Sequence, residues 1–279
     1  QVDTVNGFTT GTVTPTSISE DKADITTLQG TTGISLATTN ITVTDQVNKS
    51  EADTINGYTT GQVVLNSASM TVTELAAVEG LDDSVMKFAD DGAISVSDAA
   101  SLSDANTINN YTTGQVTLTS VDDTVANITS IDGLTTTQVS MAAATVSITD
   151  TGASKTQVDT VNGFTTGTVT PTSISEDKAD ITTLQGTTGI SLATTNITVT
   201  DQVNKSEADT INGYTTGQVV LNSASMTVTE LAAVEALNDS VMKFADDGAI
   251  SVSDAASLSD ANTINTVSYT HLRAHETKK

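Results

Sequence analysis

The nine-residue stretch from Asp53 to Gly61, Asp-Thr-Ile-Asn-Gly-Tyr-Thr-Thr-Gly, decides the fold because it returns at regular places along the chain. Its other copies begin at Asp3, Asn106, Asp159 and Asp209. The apolar residues Ala52 and Ile55 at its beginning are three positions apart, which favours one face of a short helix. Every aromatic residue before position 266 occupies the sixth position of this stretch or of a degenerate copy: Phe8, Tyr58, Phe88, Tyr111, Phe164, Tyr214 and Phe244.

The middle of the stretch predicts a helix end followed by a strand. Gly57, or Asn110 in one copy, accepts the left-handed backbone that often follows a helix. The aromatic residue comes where a helix cap makes its apolar contact, and Thr-Thr-Gly then turns the chain into a strand in which Val63 and Leu65 alternate with polar residues. An Asn-Gly hairpin turn is the alternative. We expect structural roles for ten residues: Gly7, Phe8, Gly57, Tyr58, Asn110, Tyr111, Gly163, Phe164, Gly213 and Tyr214.

Repetition occurs at two levels. Residues 1–109 recur as residues 157–265, an offset of 156. The two differences are Gly80 to Ala236 and Asp82 to Asn238. Such identity indicates either a recent duplication of the coding sequence or an error in assembling repetitive reads. Within the large repeat, helix-end positions follow one another every 23 to 30 residues, so six smaller units are expected.

The fourth unit fits this pattern least well. Its helix-end position is assigned to Lys87, and the longest helix is predicted from Glu74 to Phe88. The longer units are expected to add a short second strand at three pairs: Ile41 with Val43, Met70 with Val72, and Val146 with Ile148. Helix starts resemble capping boxes, with Ser50 followed by Asp53 as the example.

Units of 23 to 30 residues have the size of one solenoid coil. A repeated strand–helix order builds a parallel sheet through right-handed crossovers. The sequence therefore predicts an α/β solenoid of stacked strand–helix coils with a parallel sheet over residues 1–265, with an all-β solenoid or tandem β-sandwiches as alternatives. Residues 1–156 are the first large repeat of six coils, and residues 157–265 are a truncated second copy.

The C-terminal residues break the repeat. Val267 to Thr277 resembles a translated reading frame of a transposase-type sequencing adapter, which implies that residues 266–279 are a non-native, disordered tail. Both His residues and the one Arg of the chain lie in this tail, at His271, His275 and Arg273. The remainder has no His, Cys, Arg or Trp, which excludes Ser-His-Asp and Cys-His catalysis and zinc sites of His and Cys. We expect a fragment of a longer array without enzymatic activity.

The charge and the acid pairs limit the partners. A net charge of −24 argues against binding to nucleic acid or to an anionic membrane. No apolar run reaches transmembrane length, so no membrane insertion is expected. Calcium is the candidate cofactor because it uses several carboxylate oxygens. Its candidate ligands are Asp90, Asp91, Asp122 and Asp123, and the alternative is that these acids are only solvated turn residues.

The Thr-, Asp- and Ala-rich repeats without Cys resemble the repeat regions of very large acidic bacterial secreted or cell-surface proteins of the adhesin or RTX-associated kind. This resemblance covers residues 1–265 and implies an extracellular or cell-surface location. It also implies a non-catalytic structural or adhesive role, with cell-surface glycans or neighbouring domains of the same chain as partners. The alternative is a carbohydrate-binding or carbohydrate-active solenoid in which the repeated aromatic residues form a sugar-binding strip.

Overall fold

A computed structural model describes residues 1–134, 138–257 and 259–260, so the predicted tail at 266–279 lies outside the described residues. The chain forms two compact units. The first contains residues 1–122 and 126–145, and the second contains residues 123–125 and the chain from residue 146 onward. The sequence-based division at residue 156 within one continuous array stays a prediction.

Short helices alternate with strands throughout the described residues. The elements of the first half are α1 (Val2–Asn6), β1 (Ser17–Glu20), α2 (Lys22–Gly30), β2 (Asn40–Val47), α3 (Lys49–Asn56), β3 (Val63–Met70), α4 (Val72–Glu79), β4 (Met86–Ala100), α5 (Leu102–Ile108), β5 (Val116–Asp123), α6 (Val125–Gly133) and β6 (Val139–Ser140). Those of the second half are β7 (Thr145–Ile148), α7 (Lys155–Asn162), β8 (Val169–Pro171), β9 (Ser173–Glu176), α8 (Lys178–Gly186), β10 (Asn196–Val203), α9 (Lys205–Asn212), β11 (Val219–Met226), α10 (Val228–Glu235) and β12 (Met242–Val252).

The strand pairs described here are all parallel. In the first compact unit the strand order is β1-β2-β3-β4-β5, and β6 pairs with β5. In the second, β9-β10-β11-β12 form one sheet and β7 pairs with β8. Except after β6, β8 and β12, each strand is followed by a helix and then pairs in parallel with the next strand along the chain. This order confirms the α/β class with a parallel sheet and excludes the all-β alternatives.

The core lies between the helices and one face of each sheet. Val63 and Leu65 are fully buried, whereas Val64 between them is partly exposed, as strand alternation requires. The helices contribute pairs of buried residues three positions apart, such as Ala52 with Ile55, which confirms the predicted spacing. Helices of eight residues are marginal alone in water, so their stability depends on this packing.

The helix starts carry capping boxes, but not at the predicted residues. In α3 the Asn48 side chain accepts a hydrogen bond from the Glu51 backbone at 2.9 Å, and the Glu51 carboxylate accepts one from the Asn48 N–H at 3.0 Å. The predicted Ser50–Asp53 box is therefore wrong by one half-turn. Comparable boxes begin α4, α5, α7, α9 and α10, and Asp21 and Asp177 cap α2 and α8.

The predicted helix from Glu74 to Phe88 is wrong. Helix α4 ends at Glu79 with Gly80 as its C-cap, and Phe88 lies in β4, opposite Leu65 of β3. A turn separates the two elements, because the Asp82 carboxylate accepts a hydrogen bond from the Ser84 N–H at 2.9 Å. Gly80 therefore replaces Lys87 as the helix-end position. The N-caps Asp21, Asn48, Thr71 and Ser101 consequently follow one another at intervals of 27, 23 and 30 residues.

The long interval is filled by a longer strand. Strand β4 has 15 residues, and Ile94 in its middle pairs with both Ala68 of β3 and Val116 of β5. The beginning of β4 reaches back to β3, where Met86 pairs with Val63. The predicted second strand is wrong at Met70 and Val72, because Met70 ends β3 and Val72 begins α4. The other two predicted pairs do lie in strands, Ile41 with Val43 in β2 and Val146 with Ile148 in β7.

The helix-end glycines are not left-handed. Gly57 has φ −67° and ψ −15°, and Gly7, Gly163 and Gly213 have nearly the same values. The backbone stays right-handed because the Gly57 N–H donates back into the helix, to the carbonyls of Asp53 and Ile55. A Cβ at Gly57 would lie 3.3 Å from the Thr54 carbonyl oxygen. Glycine is not required by this backbone, because Ala236 is the C-cap of α10 with φ −75° and ψ −10°.

Candidate functional site

Thr-Thr-Gly is a clamp between neighbouring repeat units as well as a turn. The Thr59 hydroxyl donates to the Thr39 carbonyl at 2.7 Å and accepts from the Gly61 N–H at 2.8 Å. Thr60 donates twice to the Ala37 carbonyl, through its N–H and its hydroxyl, both at 2.9 Å. These five residues therefore fasten the start of β3 to the loop before β2.

Gly61 has no side chain, and this allows its backbone to approach the Thr39 carbonyl closely enough for these hydrogen bonds. A Cβ there would lie 2.5 Å from the Thr39 carbonyl oxygen and 2.9 Å from the Asn40 side-chain oxygen. That Asn40 oxygen accepts the Gln62 N–H at 2.9 Å, so the backbones of the two units run in close contact. The sequence motif predicted the turn correctly but gave no sign of the neighbouring unit against which it closes.

The same clamp recurs in the copies of the motif that begin at Asn106 and Asp209. The Thr112 hydroxyl donates to the Gly92 carbonyl at 2.6 Å, and the Thr215 hydroxyl donates to the Thr195 carbonyl at 2.6 Å. In both copies the following glycine N–H, from Gly114 or Gly217, donates to the Thr hydroxyl at 2.8 Å. In these copies, the repeated Thr residues thus join neighbouring repeat units through hydrogen bonds.

Aspartates at the ends of strands make a second set of contacts between units. The Asp45 carboxylate, after the first half of β2, accepts the Lys22 N–H at the start of α2 at 2.9 Å. Acid at a helix N-terminus is favourable because the first N–H groups lack partners within the helix. The equivalent acceptors are Asp98 for Val72, Asp201 for Lys178 and Asp254 for Val228. Each of these aspartates follows an Ile and a Val that alternate with Ser or Thr, and this local pattern could have identified them.

An ion pair links helices α2 and α3. Lys22 Nζ lies 2.9 Å from a Glu51 carboxylate oxygen, and both side chains are more than one third exposed. The hydrogen bond from Lys22, then that from the Asn48 backbone, lowers the pKa of the Glu51 carboxyl below its ordinary value. A cleft of about 440 Å³ beside the pair has Ala23 and Ile55 among its lining residues. The second copy repeats the pair as Lys178–Glu207 and has a cleft of about 500 Å³.

The aromatic residues do not form a uniform strip. Tyr58, Tyr111, Phe164 and Tyr214 are half-buried after their helices, whereas Phe8 is 82% exposed. Phe88 and Phe244 are buried in strands rather than at helix ends. Phe88 stacks on Tyr111 with ring centroids 6.3 Å apart. Burial, and then the nearby Glu79 charge, raises the pKa of the Tyr111 hydroxyl.

The predicted calcium ligands belong to no larger group of acidic side chains in the described part of the chain. Asp90 and Asp91 are exposed on β4, and the Asp90 side chain pairs with Lys87 at 3.3 Å. Asp122 is exposed near the end of β5, and Asp123 is partly exposed. Within the described residues, no group of three or more acidic, His or Cys side chains could hold a metal ion. Calcium binding stays a prediction.

The second compact unit has an open cavity of about 710 Å³. Hydroxyl and amide side chains of Thr172, Ser173, Asn196, Thr198 and Gln218 line it, from strands β9 to β11 and the residues next to them. Its lining contains no aromatic residue. Several of these groups already have partners, because the Asn196 side-chain oxygen accepts the Gln218 N–H and the Thr172 hydroxyl donates to the Ile148 carbonyl. The cavity also lacks the ring against which a sugar could stack.

No protein-family model, curated protein or solved structure matches this chain. Among the helices that the structure describes, none has the length and apolar character needed to cross a membrane. Any function therefore has to be inferred from the contacts of this chain alone.

Proposed function

We propose that the chain is a non-catalytic structural repeat module of a large extracellular bacterial protein, and that its strand–helix units continue one another as a solenoid. The clamp from Thr59 to the Thr39 carbonyl carries the proposal, because the most regular sequence motif in the chain makes it. Further support comes from Asp45 and its equivalents, which accept helix N–H groups of the preceding unit.

A module of this kind gains its stability from its neighbours. Each short helix buries only two residues, so one unit alone has little core. In a solenoid, stability is about the sum of weak units and strong interfaces between neighbours. The polar residues that a ligand site would need are instead engaged with adjacent backbone, which favours a spacer or scaffold.

The extracellular location and the adhesive role are part of the proposal. The acidic composition without Cys and the resemblance to large secreted repeat proteins support them. A negatively charged array stays extended and separate from other anionic surfaces through its own repulsion. Its partners would then be neighbouring domains of the same protein or cell-surface glycans.

Carbohydrate binding is the second candidate function. The hydroxyl- and amide-lined cavity beside Asn196 and Gln218 favours it, because sugars present many hydroxyl groups. Titrating neutral oligosaccharides into the chain and into a Gln218→Ala variant tests this function. Binding that the variant weakens would support it, and no binding by either chain would remove it.

Denaturant unfolding tests the structural proposal. Chains of one, two and three copies of residues 1–156 should unfold at rising denaturant concentration, because each added copy adds interfaces between neighbours. The dependence of unfolding free energy on denaturant should also steepen as more surface unfolds together. If all three chains unfold at the same midpoint with the same slope, the copies are independent domains and the proposal is wrong.

A further inference from the structure

Identical sequences in the two copies differ in exposure at one face. Val5 in the first copy is 50% exposed, whereas its equivalent Val161 is completely buried. Val13 is partly exposed, and its equivalent Val169 is buried. The face that is exposed in the first copy is therefore covered in the second copy, although the two sequences are identical there.

The second copy shows which segment covers the strand part of this face. Strand β7 lies parallel to β8, with Val146 opposite Val169 and Ile148 opposite Pro171. Further along, Ala153 forms a parallel bridge with Ile174. The segment from Thr145 to Lys155 thus follows the edge that residues 168–176 present.

Backbone hydrogen bonds fix the register of that segment. The Val146 N–H donates to the Thr168 carbonyl at 2.8 Å, and the Thr172 N–H donates to the Ile148 carbonyl at 2.8 Å. The Ala153 N–H donates to the Ser173 carbonyl at 2.9 Å.

The segment also makes a turn that suits glycine. Gly152 has φ +68°, a region that glycine enters at little cost. Its N–H donates to the Ser173 hydroxyl at 2.7 Å. The recognition elements are therefore two apolar residues, a glycine turn and a row of backbone groups.

The equivalent backbone groups of β1 in the first copy have no partner in the part of the chain that the structure describes. Among the described residues, β1 pairs with β2 alone, and the Asn40 N–H donates to the Thr16 carbonyl from that side. Alternate residues of a parallel strand direct their backbone groups to opposite neighbours, so those of Ser17 and Ser19 point away from β2. The equivalents of these two residues, Ser173 and Ser175, are the ones that bond to Ala153.

We propose that the edge at residues 12–20, here called the acceptor edge, is a docking site for a strand with the sequence of residues 145–155, supplied by another repeat unit. The inference rests on the proposed structural function, and the second copy provides its geometry. An added strand gains affinity from main-chain hydrogen bonds and specificity from alternate side chains. The partner is thus a second repeat sequence of this kind rather than an unrelated protein.

A peptide of residues 145–155 carrying a fluorescent label, titrated with the whole chain and followed by anisotropy, tests the proposal. We expect saturable binding with one peptide per chain, because the equivalent edge in the second copy is already paired. N-methylation of Ala153 removes the donor to the acceptor edge and should weaken binding by about 10-fold or more. N-methylation of Ser147, whose N–H points to the opposite side, is the matched control and should change binding little.

Two chain variants locate the site. Ser19→Pro removes an exposed N–H that points away from β2, and Val13→Asp places a charge opposite Val146 of the peptide. Both should abolish binding while the circular dichroism spectrum of the chain stays unchanged. Absence of saturable binding up to about 1 mM peptide, equal binding of the N-methyl-Ala153 peptide, or equal binding by both folded variants would overturn the proposal.

The outcome is separable from that of the proposed function. Unfolding midpoints that rise with copy number without peptide binding would support the structural module and reject the acceptor edge. Peptide binding with constant midpoints would support the edge and reject the solenoid.

Discussion

Replacing Gly61 by Ala should destabilise the protein far more than the loss of a surface glycine does. The added Cβ would lie 2.5 Å from the Thr39 carbonyl oxygen and 2.7 Å from its carbonyl carbon, both in the backbone of the neighbouring unit. Neither atom belongs to a flexible side chain, so one of the two strands has to move. That movement also lengthens the Thr59 hydrogen bonds to Thr39 and Gly61, which are 2.7 and 2.8 Å long.

The magnitude follows from these two effects. Overpacking in a close contact costs about 1–3 kcal/mol, and a weakened hydrogen bond to a part-buried group costs about 1 kcal/mol. We therefore expect the free energy of unfolding to fall by about 3 kcal/mol. Gly30→Ala is the matched control, because a Cβ at Gly30 would meet no atom within 4 Å. Since Gly30 is helical, that change should be neutral or stabilise by up to about 1 kcal/mol.

Urea denaturation followed by circular dichroism measures both variants against the parent chain. The expected order of midpoints is Gly61→Ala lowest, and Gly30→Ala at or above the parent. If Gly61→Ala unfolds at the same urea concentration as Gly30→Ala, the close approach of the two units is not a source of stability, and the clamp loses its structural meaning.

Four further predictions address the other contacts. Thr112→Val leaves the Gly92 carbonyl without its side-chain donor in a site only 6% exposed, and should lower the free energy of unfolding by about 1–3 kcal/mol in urea titrations. Asp98→Ala removes the acceptor at the start of α4 and should cost about 1 kcal/mol, with a loss below 0.2 kcal/mol contradicting its role. Lys22 lowers the pKa of the Glu51 carboxyl, so the stability from this pair is present above the ordinary carboxyl pKa and is lost as the pH falls through the lowered value. Lys22→Met should therefore raise the pKa of Glu51 in an NMR titration. An unchanged pKa would exclude the ion pair as the cause of the shift. If Asp90, Asp91, Asp122 and Asp123 bind calcium, a chelator should lower the Tm, and an unchanged Tm would reject these sequence-predicted ligands.

Periodicity predicted the local elements well. The spacing of Ala52 and Ile55 identified a helical face, and the alternation of Val63 and Leu65 identified a strand with one buried face. Both patterns arise from the geometry of a single element, so a single sequence contains them. The order of these elements then predicted the α/β class and the parallel sheet.

The contacts between repeat units were not predicted. Gly57 suggests a left-handed cap, yet its φ is −67°, and Ala236 ends α10 with a similar right-handed backbone. Gly61 is required by a carbonyl 22 positions away in sequence, at Thr39, which no local pattern specifies. Asp45 looks like a solvated turn acid until the start of α2 is placed beside it.

The fourth unit was predicted wrongly because its aromatic residue fits two different elements. Phe88 resembled the aromatic residue of the motif, so a helix was expected to continue to it. Gly80 and the turn at Asp82 end the helix earlier, and the surplus residues extend β4. A buried aromatic residue fits a strand that faces the core as well as a helix cap, and composition alone does not separate the two.

Small-angle X-ray scattering from chains of one, two and four copies of residues 1–156 tests the central claim most directly. If the Thr-Thr-Gly clamps join successive units as a solenoid, the radius of gyration should rise nearly in proportion to copy number, about twofold for each doubling of a rod-like array. A compact globular protein would show only about a 1.3-fold rise for each doubling, from the scaling of radius with chain length. The near-proportional rise is the result that the proposed solenoid predicts, and the 1.3-fold rise would contradict the proposal.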